Sequence, residues 1–353
     1  MKLGWRALLG LAITVLLLWW LLKDVDLAEV WSEIQGGNFW LLGLAVAIAT
    51  GTFFLRTLRW KLLLDPAHPG TTLRARWAAV NIGFMANNLL PARMGEFVRA
   101  YALSRLAPVP VSGAFASLVV ERFLDGIIIV LFLFLAMAAP GFPADGTLGQ
   151  LGPAAQGVAV TLAVLLLIMV LMLLFPRALV RTAERMVRPL PGDFSRPVVD
   201  ALEAFLDGLR IFQKPGLLLL ALLWSVVVWA WQTLAFWVGF RAFGIDVGYD
   251  VALLVNSAVA FTVSLPAAPG FFGTFHLGVK LGLAVYGIPA AATLAFAFGF
   301  HLGGFIPVTL IGLYYAWRMG ISLEEMGQSE ERVEEAVEDR HTEVTGGPAG
   351  ERG

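Results

Sequence analysis

The most informative run in this chain is Glu121-Arg122-Phe123-Leu124-Asp125, inside an otherwise apolar stretch from 112 to 138. Glu121 lies nine residues into that stretch, ~14 Å along a helix at 1.5 Å per residue and near mid-bilayer if the helix spans. On such a helix Glu121 and Asp125 share a face, and Arg122 reaches Asp125 three residues on. Charges at that depth are costly, inward-facing and usually paired or functional. A buried Arg–carboxylate pair that fixes packing and a polar route for a substrate are both open readings, and the two roles can coexist. A second constellation is Asn87-Asn88-Leu89-Leu90-Pro91-Ala92-Arg93-Met94-Gly95-Glu96-Phe97-Val98-Arg99, a helix break beside an acid and two arginines. Arg93 and Arg99 suit a phosphate, because guanidinium is always charged and binds two oxygens at once. Glu96 balances that charge or meets a cationic head group; an ordinary cytoplasmic boundary is the plainer alternative. The third runs Pro266-Ala267-Ala268-Pro269-Gly270-Phe271-Phe272-Gly273-Thr274-Phe275-His276. Gly270 and Gly273 permit unusual φ and close approach of backbone to a ligand, and His276 can titrate or donate to a phosphate. A lone His beside aromatics is also a common packing residue. His301, at a small-residue helix contact, reads as structural.

These side chains are set in a membrane composition. The chain is 58% hydrophobic and 14% charged, with a mean hydropathy of +0.78; soluble domains are nearer half apolar and a quarter charged. A net charge of −1 gives no signature of nucleic-acid binding. The absence of cysteine excludes disulfides, thiolate catalysis and thiolate metal sites. The four histidines lack metal-site spacing, so no cofactor is expected. No Gly-x-x-x-x-Gly-Lys loop is visible, so any transport would run downhill or on an ion gradient.

A membrane-spanning helix needs about 20 mostly apolar residues. Six stretches qualify: roughly 5–22, 39–59, 112–138, 155–175, 217–240 and 291–317. Two more, about 77–92 and 250–287, are interrupted by Asn87-Asn88-Leu89-Leu90-Pro91 and by Leu265-Pro266-Ala267-Ala268-Pro269-Gly270. Broken backbone survives in a bilayer only where it is buried in protein or lines a wet cavity. If each interrupted segment enters and leaves on one side, Arg59, Lys61, Arg74, Arg76, Arg93, Arg99 and Arg105 are cytoplasmic, as is the basic 177–214 stretch. That satisfies the positive-inside rule; a full crossing by 77–92 would turn 177–214 outward. The expected fold is an all-α polytopic inner-membrane protein with six crossings, two re-entrant or broken segments and both termini cytoplasmic.

The first apolar run is expected to be an uncleaved helix, because Lys23-Asp24-Val25-Asp26 offers no small-residue cleavage site. Leu27, Val30, Trp31 and Ile34 then recur at helical spacing beside acids, which predicts a short amphipathic helix at the outer interface. A membrane domain over 1–320 is followed by a Glu-rich stretch, 321–353, expected to be a cytoplasmic tail, a frayed helix followed by disorder. The two interruptions match at an offset of 175 (256 minus 81), which pairs Asn81 with Asn256, Pro91 with Pro266 and Gly95 with Gly270. Three crossings separate them, so they fall on opposite leaflets, as in the inverted repeats of transporters. Two unrelated proline kinks are the simpler alternative.

Taken in order, Asn87 or Asn88, Leu90-Pro91, Arg93, Gly95-Glu96, Arg99, Glu121-Arg122, Asp125, Pro269-Gly270 and Gly273 resemble the lysylphosphatidylglycerol synthase transmembrane region, also described as flippase-like, over about residues 5–320. Synthases of that type join such a module to a soluble aminoacyl-transfer domain, which is expected to be lacking here. The resemblance implies a stand-alone module that moves phospholipids or other lipid-linked molecules between leaflets. The family pattern often carries an acid near the end of the third motif, where this chain has His276. Membrane lipids, phospholipid or polyprenyl-linked, are the expected partners, with envelope lipid-modifying enzymes as further ones. The alternatives are a membrane-embedded lipid transferase, with Asp24 and Asp26 as metal-binding candidates, and a non-transporting scaffold for envelope enzymes.

Overall fold

The computed structural model describes residues 5–90, 93–143, 215–265 and 268–345, with isolated positions between 164 and 185. Every regular element among them is helical: α1 (Trp5–Leu22), α2 (Leu27–Gly36), α3 (Phe39–Leu64), α4 (Leu73–Leu89), α5 (Gly95–Leu106), α6 (Val111–Met137), α7 (Pro215–Ala242), α8 (Tyr249–Thr262), a 3₁₀ turn (Pro269–Phe271), α9 (Thr274–Ala284), α10 (Ala290–Met319), α11 (Leu323–Gly327) and α12 (Ser329–Thr345). Polar residues start several of them. Asp26 caps α2, Asn38 accepts from the backbone N–H groups of Trp40 and Leu41 at the head of α3, and Thr72 accepts from that of Ala75 at the head of α4.

Among the described residues three helices, in α3, α7 and α10, are long and apolar enough to cross a membrane. α6 has 27 residues but carries Glu121, Arg122 and Asp125, and α1 adds a shorter apolar run, Leu9–Leu22. The expected crossing at 155–175 falls outside the described residues apart from isolated positions.

The chain returns repeatedly to the same two ends of the bundle. At one end Asn38 donates its backbone N–H to the Ala242 carbonyl, Lys280 Nζ to that of Leu21, and Phe142 meets Tyr286 edge-on. At the other, Tyr101 meets Glu325 and Arg332. Exposed tryptophans mark both, with Trp19, Trp31 and Trp40 at the first and Trp317 at the second, the placement expected of aromatic belts. In α2, Val30 turns inward while Leu27 and Trp31 stay exposed, as its amphipathic spacing predicts.

Both interrupted segments are pairs of short helices folded back on each other, α4 against α5 and α8 against α9. Their 17, 12, 14 and 11 residues give lengths of ~26, 18, 21 and 16 Å, each short of the ~30 Å of hydrocarbon. Small residues let the pairs approach. A Cβ on Gly83 would stand 2.7 Å from Arg99 Cβ, and one on Gly278 2.6 Å from Val259 Cα.

The acidic stretch is helical through Thr345 in α11 and α12, which pack on α5 and α6. Met326 and Val333 are 1% exposed and belong to the same core as α4–α6. Met326 and Val333 thus fall on one buried seam, while Leu323 stays exposed. Residues beyond 345 lie outside the described ones.

Candidate functional site

The charged residues of α6 are joined to three other helices. Arg99 of α5 donates to Glu121 through both terminal nitrogens, at 2.8 and 3.1 Å, the bidentate geometry that suits guanidinium to carboxylate. Arg122 donates to the same carboxylate at 2.7 Å and stands 3.4 Å from Asp125. From α3, Arg59 pairs with Asp125 and, at 3.3 Å, with Glu121, and it donates at 2.8 Å to Ser225 Oγ on α7. Arg56 donates to Asp125 at 3.0 Å. Glu121 and Asp125 are 0% and 2% exposed. Arg99 also lies over the Trp60 ring, 4.0 Å from its centroid, and Trp60 donates to Ser117 of α6. The network sets four guanidiniums (Arg56, Arg59, Arg99, Arg122) against two carboxylates, a formal excess of two positive charges.

Beside this network the two breaks meet. The 3₁₀ turn after α8 packs on α4, and the Arg93 guanidinium lies 5.5 Å from the Phe271 ring centroid. These two are the non-glycine residues with positive φ, 57° and 60°, among the described residues. Such backbone costs of order 1–3 kcal/mol per residue and persists only where its surroundings enforce it. The first break is pinned by Asn87, whose side-chain oxygen accepts from the Gly95 N–H at 2.8 Å. The second is pinned by Thr14 of α1, which donates to the Phe272 carbonyl and accepts from the Ala268 N–H. Between the breaks lies a cavity of about 240 Å³. Helices α3, α4, α7, α8, α9 and α10 and the second break line it, with phenylalanine the commonest lining residue, and Arg56 forms part of its wall.

A family model for the lysylphosphatidylglycerol synthase transmembrane region matches residues 7–312. The chain belongs to this family. Among curated relatives, glycosyltransferase AglD of Haloferax volcanii is 27% identical over 324 residues, covering 81% of this chain and 50% of that protein; the chain therefore spans half the length of that relative. A UPF0104 membrane protein of Methanothermobacter thermautotrophicus is 21% identical over 319 residues, covering 86% of this chain and 91% of the relative. One of Methanocaldococcus jannaschii is 25% identical over 267 residues, covering 72% and 77%. This is a multi-pass membrane protein of the lysylphosphatidylglycerol synthase transmembrane family. No solved structure matches.

The residues singled out from sequence divide into three groups. Arg99, Glu121, Arg122 and Asp125 converge in the network. Arg93, Pro269, Gly270 and Gly273 stand at or beside the meeting of the breaks, with Gly270 and Gly273 at φ 75° and 87°, whereas Pro91 and Pro266 lie outside the described residues. Asn88 lines the cavity and donates to Thr309 Oγ1 at 2.8 Å. Glu96 is half-buried in the first turn of α5, with its charge acting on Arg93 and Arg122. The two histidines exchange the roles that sequence suggests. His276 is buried among Phe272, Phe275 and Phe298 and does not line the cavity; His301 does. Sequence reasoning also missed Arg56 of α3 and took Arg59 for an ordinary cytoplasmic arginine. Their spacing of three puts both on one face of α3, but only the position of α6 opposite them gives that face its role.

Proposed function

We propose that this chain is a lipid translocase that moves a phospholipid or lipid-linked substrate between leaflets of the cytoplasmic membrane. The observation that carries this reading is the meeting of two broken helix pairs beside one cavity whose wall includes Arg56 of a buried arginine network. In this reading α4–α5 and α8–α9 are re-entrant elements of an inverted repeat. Their short helices, the sequence offset of 175 (256 minus 81) and the left-handed residue at each break support that plan. The termini are cytoplasmic, and α11 and α12 dock on the inner face. Membrane lipids are the partners, and the chain acts as a transporter rather than an enzyme.

The test is exchange of labelled lipids between leaflets in proteoliposomes, with phosphatidylcholine, phosphatidylglycerol, an aminoacylated lipid and a polyprenyl phosphate. Wild type is compared with Glu96→Gln and Glu121→Gln. Selective exchange that both substitutions abolish is the expected result; no exchange of any lipid by folded protein would sink the proposal. The similarity to the membrane half of a protein named a glycosyltransferase favours one second reading, a lipid-linked transferase. Turnover of a lipid-phosphate donor by the purified chain, lost in Asp24→Asn, would point there instead.

A further inference from the structure

The cavity between the breaks carries unspent hydrogen-bonding groups. Arg56 is held in its wall between two rings, 5.6 Å from the centroid of Phe84 and 5.5 Å from that of Trp229. Among the described residues it makes one hydrogen bond, from one terminal nitrogen to Asp125. Three further cavity-lining residues have buried polar atoms without a partner among the described residues: Thr52 Oγ1, Trp229 Nε1 and His301 Nδ1. Thr50 and Thr57 of the same helix spend their hydroxyls on the carbonyl four residues back. At Thr52 that carbonyl, of Ile48, already accepts from Trp231 Nε1. Buried polar groups are nearly always satisfied, and three residues with such orphans line this one cavity beside Arg56. An indole nitrogen only donates and guanidinium only donates, so a ligand here must be rich in acceptors. The adjoining network holds an excess of two positive charges, four guanidiniums less two carboxylates.

We infer that this cavity is a head-group site for an anionic phosphate, gripped by Arg56 with Trp229, Thr52 and His301 supplying the remaining polar contacts. A phosphate monoester carries about −1.5 to −2 charge at pH 7 and three strong acceptor oxygens, which matches both the charge excess and the donors. The volume of about 240 Å³ is below the usual ~300–1,000 Å³ of drug-sized ligand pockets, so it holds a head group while the lipid chains stay outside. The inference rests on the translocase reading for its ligand source but not for its chemistry.

The test measures ligand-induced stabilisation of the purified full chain in neutral detergent, with short-chain phosphatidate, short-chain phosphatidylcholine and inorganic phosphate. Phosphatidate is expected to bind at least tenfold more tightly than phosphatidylcholine. Trp229→Phe, which removes the N–H and shrinks the indole to a phenyl ring, should weaken phosphatidate at least about tenfold, the value of one hydrogen bond to a charged group. Arg56→Gln should weaken it further. Inorganic phosphate saturating at the same concentrations, with the same dependence on Trp229 and Arg56, keeps the anion site and assigns it to the free ion. Equal binding of phosphatidate and phosphatidylcholine, or binding indifferent to both substitutions, overturns the inference. Leaflet exchange separates the two ideas. Exchange with no anion preference leaves translocation standing and removes this site, and anion binding without exchange does the reverse.

Discussion

Glu121 is the joint at which α3, α5 and α6 are tied by charge, since Arg59, Arg99 and Arg122 all bear on one buried carboxylate. Deleting one partner of a buried ionic group leaves the others uncompensated, at a cost of about 3–5 kcal/mol. Glu121→Gln would leave four arginines facing Asp125 alone, so it should lower the denaturation midpoint in detergent by that order. The double variant Arg99→Leu/Glu121→Leu should be less destabilised than the sum of its single variants, because the two share one interaction. Additive losses in that cycle would show that the contact couples nothing. Glu96 offers the contrast. It is half-buried, with no guanidinium within ion-pair distance among the described residues, so Glu96→Gln should stay within about 0.5 kcal/mol of wild type. Any loss of lipid exchange in that variant is then a transport effect, whereas a loss in Glu121→Gln has to be read against its stability. An acid in an apolar run has few bland explanations, which is why Glu121 and Asp125 were legible in the sequence. Arg56 and Arg59 were not, because the positive-inside rule already accounts for arginines near a cytoplasmic helix end. Their role depends on which helix lies opposite, and that is a tertiary fact.

Within the helix pairs, glycine decides how closely backbones approach. Gly83 faces Arg99 and the Gly95 carbonyl so tightly that a Cβ would be 2.7 Å from each, and overpacking of this kind costs about 1–3 kcal/mol. Gly83→Ala should therefore destabilise the protein by that amount and disturb the Arg99–Glu121 geometry. Gly43, in the second turn of α3, has nothing within 4 Å of its added Cβ. Gly43→Ala should be neutral or stabilising by about 0.5–1 kcal/mol through backbone entropy. Denaturation midpoints of the two variants moving in the same direction would contradict the assignment. Proline and glycine made the two breaks readable from sequence, but the contact between them, Arg93 on Phe271, joins positions far apart in the chain. The docking of α11–α12 was not legible for a related reason. The pair's charge content suits a solvated tail, and only its docking on α5 shows what Met326 and Val333 are for. The capping box at its start also gives it a pH dependence. The Glu325 carboxyl accepts from the Ser322 backbone N–H and lies beside Arg105, and both hold it below its ordinary value of 4.5. A carboxyl whose pKa is lowered by folding stabilises the folded form above its ordinary pKa and loses that contribution as pH falls through the lowered one. Protease sensitivity at the α11–α12 segment should accordingly rise as the pH falls below about 4.5, and Glu325→Gln should remove that dependence.

The arrangement of the ends ties the local devices to one topology. Asp24 follows α1 and precedes α2, and Asp246 follows α7. The Asn38–Ala242 hydrogen bond brings the start of α3 and the end of α7 to one face, so both aspartates belong to that face. α11 and α12 belong to the opposite one through Tyr101, Arg105 and Arg332. If α3, α6, the apolar stretch 155–175 and α7 each cross once, Asp24 and Asp246 share a side only when α4 and α5 together enter and leave on the same side, the re-entrant arrangement proposed above. A single crossing there would invert everything from α6 onward and carry Asp246 to the cytoplasm. The side chains of Asp24 and Asp246 are 79% and 94% exposed, and the chain contains no cysteine, so single introduced cysteines report without background. In intact cells Asp24→Cys and Asp246→Cys should both react with a membrane-impermeant maleimide, while Glu331→Cys on exposed α12 should react only after permeabilisation. Reaction of Asp24→Cys from outside with Asp246→Cys protected would mean that the first broken pair crosses. The two breaks could not then approach from opposite leaflets, and the cavity between Arg56, Trp229 and His301 would lose its place as a shared site for a lipid head group.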